Sequence, residues 1–409
     1  MEAKILIILV YIKCDDGMNK ILEDIRVLDL TIQWFGPFCT MMLADFGAEV
    51  IKIEPPWGTP DRFTQGPVIA GASPWFHYLN LGKKDLTLNL KENDGIDIFK
   101  ELVKRSDVVI QNFAPGTMER LKLGSDVFSE LNPKIIYAAL SGFGQTGPYY
   151  SMASFASIAE AMSGHLRLCG DNIDPNGPPQ HNAEAYGDLG PAMFAAMSII
   201  AAIRYRDKTG KGQMIDVAQA DCMTALCGQS ITTYLFTGLL PWQIKEKYAA
   251  MQGIGGIIKV TDGWIQVSGI RPRALDNLKE KLNVNEVTTE TLEKLISSMN
   301  RKEAVEYIAS FGMPVAPIYQ VNENIKDPHL ISRNMFIDVE HTELGKIKTV
   351  NFPVKFSETP VNVSSGAPTL GQNNKEILMD LLGFTEEKVK MLEKKGIIAA
   401  ASRVCVPKA

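Results

Sequence analysis

A chain of 409 residues, 45% hydrophobic and 22% charged, is long enough for more than one hydrophobic core, so two domains are expected. Its net charge of -5 supplies no basic footprint for a polyanion, which argues against nucleic acid as a partner. The 6 cysteines, Cys14, Cys39, Cys169, Cys222, Cys227 and Cys405, include no Cys-x-x-Cys and no histidine at ligand spacing, which speaks against a metal site and fits a reducing, cytoplasmic setting.

The apolar run at residues 5–12 is too short to span a bilayer and lacks a small-residue cleavage pattern, so neither a membrane anchor nor a signal peptide is expected. Met18 is the expected natural start, with residues 1–17 an upstream extension. Residues 25–30 read as a buried strand, 38–46 as a helix and 50–54 as a second strand, a βαβ unit that opens a Rossmann-like, mostly parallel sheet. Glu54 falls where a dinucleotide fold places a ribose ligand. The connecting turn, Thr31-Ile32-Gln33-Trp34-Phe35-Gly36-Pro37, has one glycine where close approach to a pyrophosphate needs several, so a nicotinamide or flavin site is rejected.

Alternating apolar residues mark a strand within 80–90, with Lys83 beside it, followed by a helix at 96–104 and a strand at 107–110. The turn Gln111-Asn112-Phe113-Ala114-Pro115-Gly116-Thr117-Met118-Glu119-Arg120 then lies at the carboxyl end of a parallel strand, where such sheets form their ligand crevice. Arg120 offers a planar cationic fork suited to a phosphate, and taken alone reads equally as a surface helix arginine. Residues 133–140 are a further strand. The glycine-bearing loop at 141–148 lacks the Lys-Ser or Lys-Thr of a phosphate loop.

Residues 154–164 read as a helix, and a polar, proline-containing loop at 171–182 follows. Glu184-Ala185-Tyr186-Gly187-Asp188-Leu189-Gly190-Pro191 then opens a run of small and apolar residues, through Ile203, that reads as a helix buried on most faces. Asp188 stands at its start, where an aspartate can cap the free N–H groups of the first turn. Domain boundaries follow: 18–213 is the first part of a large domain, 214–238 a linker helix, 239–322 a smaller α+β domain, and 323–397 a return segment that completes the large one. Gly253, Gly255 and Gly256 form a glycine tract that reads as flexible, and the tail after Gly396 is expected to be mobile.

The order Gly187-Asp188, a small-residue helix, then Arg204-Tyr205-Arg206-Asp207-Lys208-Thr209-Gly210-Lys211-Gly212-Gln213 resembles the active-site region of class III CoA-transferases, the family of formyl-CoA transferase and carnitine CoA-transferase. The likeness extends over residues 25–382 and is strongest at 28–54, 80–90, 112–120 and 187–213. It implies an α/β fold with a Rossmann-like large domain, a smaller α+β domain and an interlocked homodimer. It also implies that Asp188 is the nucleophile, that Lys83, Asn112, Phe113, Ala114 and Arg120 hold coenzyme A, and that Trp34, Phe35 and Phe155 line the acyl pocket. Gly253, Gly255 and Gly256 would shield activated intermediates. In the family's scheme the aspartate takes the acyl group from an acyl-CoA as an anhydride, then takes CoA as a thioester, and passes it to a free carboxylic acid. A carboxylate suits this because anhydride and thioester are close in energy, and no permanently bound cofactor or metal is needed.

Plainer readings stand beside these. Trp34 and Phe35 read equally as core aromatics, Lys83 as a solvated lysine, and the glycine tract as an exposed linker. Two further functions are weighed. α-Methylacyl-CoA racemase needs a histidine and an aspartate as acid and base, and where racemases carry Gly-His-Asp this chain has Ser154-Phe155-Ala156. A non-catalytic CoA-binding protein would keep the fold without the chemistry. Phe35, Pro55, Ala153 and Ala156 depart from the family pattern toward an apolar acyl pocket, which disfavours oxalate; the acids exchanged are not specified by the sequence.

Overall fold

The computed structural model describes residues 20–64, 66–247, 254–269 and 272–399. The expected extension at 1–17 and Gly253 lie outside them. The chain divides into two units, one holding residues up to Gly228 together with those from Met335 onward, the other Gln229–Asn334.

The first unit is built on six strands: β1 Arg26–Asp29, β2 Glu49–Glu54, β3 Lys84–Thr87, β4 Val108–Gln111, β5 Ile136–Ser141 and β6 Gln213–Ala218. They lie in the order β3-β2-β1-β4-β5-β6, and every neighbouring pair is parallel. The helices between them are α1 Phe35–Asp45, α2 Pro74–Leu79, α3 Asn93–Val103, α4 Thr117–Arg120, α5 Ser125–Leu131, α6 Ala156–Met162, α7 His165–Asp171 and α8 Tyr186–Thr209, and α9 Gln219–Leu226 follows the last strand.

Strand side chains alternate between faces, so a sheet covered on both sides needs apolar residues at consecutive positions. Val27, Val50, Val108, Ile136 and Ala138 face one core with Phe35, Leu43 and the Ala195, Ala196 and Ile199 stripe of α8. Their neighbours Leu28, Ile51, Val109, Tyr137 and Ala139 face the other, with Phe99 and Leu102 of α3 and Phe128 of α5. The order of strands reverses between β1 and β4, which places a crevice at their carboxyl ends.

Residues 214–238, expected to be a linker helix, begin instead with β6. Its residues pair with β5 from Ile136 opposite Gln213 to Ser141 opposite Ala218. Branched Ile215 and Val217 flank Asp216, and the strand is exposed at its start and buried at Val217 and Ala218, which suits an edge strand better than a helix. This strand matters for the site, because the helix after it starts at the carboxyl edge. Helix α8 is long and apolar enough to cross a membrane by length and composition. Its Ala192, Ala195, Ala196, Ile199, Ala202 and Ile203 are packed in the core, as in a central helix of a globular fold.

In the second unit β7 Ile254–Val260, β8 Gly263–Gly269 and β9 Val315–Pro317 form an antiparallel sheet. The helices Pro272–Leu282, Thr289–Ile296 and Arg301–Ala309 supply Leu278, Leu292 and Ile308 to its core. Gly255 and Gly256 are therefore strand residues, not a loop. A Cβ on Gly255 would come within 2.3 Å of the Val267 carbonyl oxygen, and its φ is +141°, so glycine is required there for strand pairing.

The return segment adds the hairpin β10 Phe336–His341 and β11 Gly345–Val350. Asn373 and Asn374 then seal the edge of β3, accepting from the backbone N–H of Asp85 at 3.0 Å and Thr87 at 2.8 Å. Ile397 and Ile398, expected to begin a mobile tail, are buried in the α3 core, and the Ile397 carbonyl accepts from the Asn89 N–H at 2.8 Å.

Candidate active site

Helix α8 ends at Thr209 and β6 starts at Gln213, parallel to β5, so α8 runs antiparallel to the strands and its first turn lies at the carboxyl edge of the sheet. Asp188 is the third residue of that helix. It does not cap it: the capping position belongs to Ala185, whose side chain makes no such bond. The cap comes from Glu160 of α6, which is 3% exposed and accepts from the Gly187 N–H at 2.8 Å. Gly187 is required for this approach, since a Cβ there would sit 2.2 Å from the Ala156 carbonyl oxygen.

The other first-turn amides are also taken: Tyr186 donates to the Glu184 carbonyl, and Asp188 and Leu189 both to that of Ala185. The Asp188 carboxylate is held from elsewhere. Gln219, the first residue of α9 and 4% exposed, donates through Nε2 to Asp188 Oδ1 at 2.5 Å. Its Oε1 accepts from Ser154 Oγ at 3.2 Å. Burial, and then repulsion from Glu160, push the Asp188 carboxyl up to about 7, and the Gln219 hydrogen bond offsets this only in part. A carboxylate that is poorly solvated and crowded by a second acid is a strong nucleophile, and acylation removes the charge that makes it costly.

Residues 22–374 match CoA-transferase family III. The chain belongs to that family. It is 35% identical to succinyl-CoA--D-citramalate CoA-transferase of Chloroflexus aurantiacus, over 92% of this chain and 98% of that one. It is 31% identical to formyl-CoA:oxalate CoA-transferase of Streptomyces avermitilis, covering 93% and 100% of the two chains. Human succinyl-CoA:glutarate CoA-transferase is also 31% identical, over 93% and 91%. Among solved structures, a CaiB/BaiF family protein from Brucella suis superposes with a TM-score of 0.78 at 28% identity, covering 89% of this chain and all, 100%, of that one.

Within this family III CoA-transferase, Lys83 is placed differently from the expectation that it meets CoA phosphates. It is 4% exposed, and its ammonium donates to Asp29 Oδ2 at 3.0 Å, Asn80 Oδ1 at 2.8 Å and the Pro37 carbonyl at 3.1 Å. An ammonium has three N–H groups, so none is left for a ligand. Phe35, expected in the acyl pocket, is buried in the α1–α8 core, because it starts α1 on the side facing the α8 alanines. Its bulk therefore says nothing about the acid exchanged. Glu54, considered for a ribose, is spent on Arg62 at 2.6 Å and on the Thr59 N–H and hydroxyl.

Trp34 is half-buried and stacks on Trp75 with ring centroids 5.4 Å apart. Asn112 holds the crevice together, accepting from the Ile32 N–H at 2.9 Å and donating to the Ile32 carbonyl at 2.8 Å across the point where strand order reverses. Phe113 packs against the α3 core, while Ala114 and Arg120 are exposed, Arg120 donating to Thr117 Oγ1 at 2.8 Å. Phe155, next to Ser154, is 69% exposed. Glu160 and Gln219 were missed by the sequence. A buried glutamate mid-helix and a glutamine after an edge strand look like surface residues until the helices are packed.

Proposed function

We propose that this chain moves CoA from an acyl-CoA to a free carboxylic acid, with Asp188 as nucleophile. Asp188 Oδ2 attacks the thioester carbonyl and expels CoA thiolate, leaving an aspartyl–acyl anhydride. The thiolate then attacks Asp188 Cγ, forming the C–S bond as the donor acid leaves as its carboxylate. The acceptor carboxylate attacks the aspartyl-CoA thioester, and the same steps run backward to release the new acyl-CoA and free Asp188. The observation that carries this reading is the desolvated Asp188 carboxyl beside Glu160, held by a neutral donor instead of a cation. A lysine or arginine partner would have lowered its nucleophilicity.

Exposed Arg120 and Ala114, at the end of the strand where the crevice opens, are the proposed CoA side of the site. Gly255 and Gly256 remain proposed as shielding residues, now as strand residues. Relatives named for succinyl-CoA make it the first donor to assay. Incubation with succinyl-CoA and no acceptor is expected to leave a succinyl or CoA mass on the peptide containing Asp188, trapped by hydroxylamine as a hydroxamate. An unmodified peptide, with solvent deuterium entering the α-carbon, would support the racemase reading. The ring nitrogens of His165 face Asn182 and Cys169 on one side and Cys227 on the other.

The proposed homodimer has support in α8, where Met193, Met197 and Ile200 form an exposed apolar stripe at helical spacing. Light scattering is expected to give twice the chain mass down to nanomolar concentration. A folded monomer would remove the dimer from the proposal.

A further inference from the structure

We propose that Gln219 is a catalytic residue for the second chemical step, the donor that stabilises the oxyanion formed when CoA thiolate attacks the acylated Asp188. The inference rests on Asp188 being the nucleophile and assigns a role to a side chain that the reaction scheme does not by itself require.

The geometry starts from which oxygen Gln219 touches. Its Nε2 donates to Oδ1. When Oδ2 forms the bond to the acyl carbon, Oδ1 becomes the carbonyl oxygen of the aspartyl half of the anhydride. Thiolate attack on Cγ then drives an electron pair onto Oδ1, and that pair returns as the bond from Cγ to the departing carboxylate breaks. The atom that Gln219 already touches in the resting carboxylate is therefore the atom on which negative charge reappears. Donors fixed at such a position before the reaction need no reorganisation, and removing one costs on the order of 100- to 1,000-fold in rate.

No other described donor is available to do this from the helix itself. The first-turn amides of α8 are all engaged, with Glu160, Glu184 and Ala185. The usual helix-terminus solution, free backbone N–H groups aimed at an anion, is closed here. Gln219 is also rigid. It is buried, it opens α9 directly after β6, and the next residue, Ala220, donates its N–H to the Gly142 carbonyl at 3.0 Å. Its amide orientation follows from chemistry: an ionised carboxylate only accepts, so nitrogen must face Asp188 and oxygen must face the Ser154 hydroxyl, where it accepts at 3.2 Å. Ser154 reaches this place because Gly142 has no side chain, and a Cβ there would lie 2.1 Å from the Ser154 Cβ.

The test uses the full chain with succinyl-CoA as donor, in Gln219→Leu and Gln219→Glu variants beside Asp188→Ala. Gln219→Leu is expected to lose about 100-fold in kcat with the KM for succinyl-CoA changed by no more than a few-fold, because the donor matters only in the transition state. The bound adduct is expected to shift from CoA toward succinyl on the Asp188 peptide, since the thiolate step is the one slowed. Gln219→Glu keeps the length and the acceptor for Ser154 but sets a carboxylate against Asp188. It is expected to show the same loss and to move the rate midpoint to higher pH. Unchanged kcat in Gln219→Leu, or a loss of both adducts in equal proportion, overturns the proposal, as does an unmoved midpoint in Gln219→Glu. Turnover by Asp188→Ala would overturn the nucleophile itself, whereas an inactive Asp188→Ala with an active Gln219→Leu removes only the role of Gln219.

Discussion

Asp188→Ala and Asp188→Asn are expected to abolish CoA transfer while leaving the fold intact, because under the proposed mechanism either change removes the carboxylate oxygen that attacks the thioester. Stability supports the distinction. A carboxyl held at about 7 in the folded chain and near 3.8 when unfolded binds its proton more tightly in the folded state. Its contribution is therefore most favourable below the unfolded value and is lost as pH rises from about 4 to about 7. The asparagine variant lacks that loss and should be at least as stable as the parent at pH 8, so inactivity there cannot come from unfolding. For the parent, transfer should rise with pH, pass half its maximum near 7 and level off above it, as the nucleophilic carboxylate forms. Glu160→Gln keeps an oxygen to accept from the Gly187 N–H and removes the repelling charge, so the midpoint should move to lower pH. Near-normal turnover in Asp188→Ala, measured as acyl-CoA exchange, would sink the nucleophile; a parent midpoint near 4 would sink the desolvated site.

The second large effect is expected on stability. Lys83 and Asp29 are both buried, and Asp29 also accepts from the Thr31 N–H at 2.9 Å and from the Thr40 hydroxyl at 2.6 Å. Burial alone would raise the Asp29 carboxyl, yet Lys83, Lys52 and the two threonine hydroxyls hold it at about 2. Lys83→Met takes one charge away and leaves Asp29 buried with only part of its compensation, a change that costs about 3–5 kcal/mol. Urea unfolding should show the midpoint fall with an unchanged slope. If the midpoint stayed put while the KM for succinyl-CoA rose, Lys83 would be a phosphate ligand after all and its burial in the resting chain would not describe the working state.

Much of the fold was legible because both faces of a parallel sheet are covered. Consecutive apolar residues such as Val27-Leu28 and Val108-Val109-Ile110 mark doubly buried strands without reference to any other part of the chain. The small-residue character of α8 was likewise local, since Ala192, Ala195, Ala196 and Ile199 recur at helical spacing, and an acid at the head of such a helix stands out by itself. The sequence could thus nominate Asp188, but it left open whether the residue caps the helix or reacts. That choice rests on Glu160, which takes the capping bond from a different helix, and on Gln219, which is 31 residues away along the chain. Lys83 fails as a local reading for the same reason: two of its acceptors, Asp29 and Pro37, are 54 and 46 residues away. Periodicity reports which face of an element is buried, and it reports nothing about which polar group on another element meets a buried charge. Only tertiary packing decides those partners, and with them which acid is spent on structure and which remains free to react.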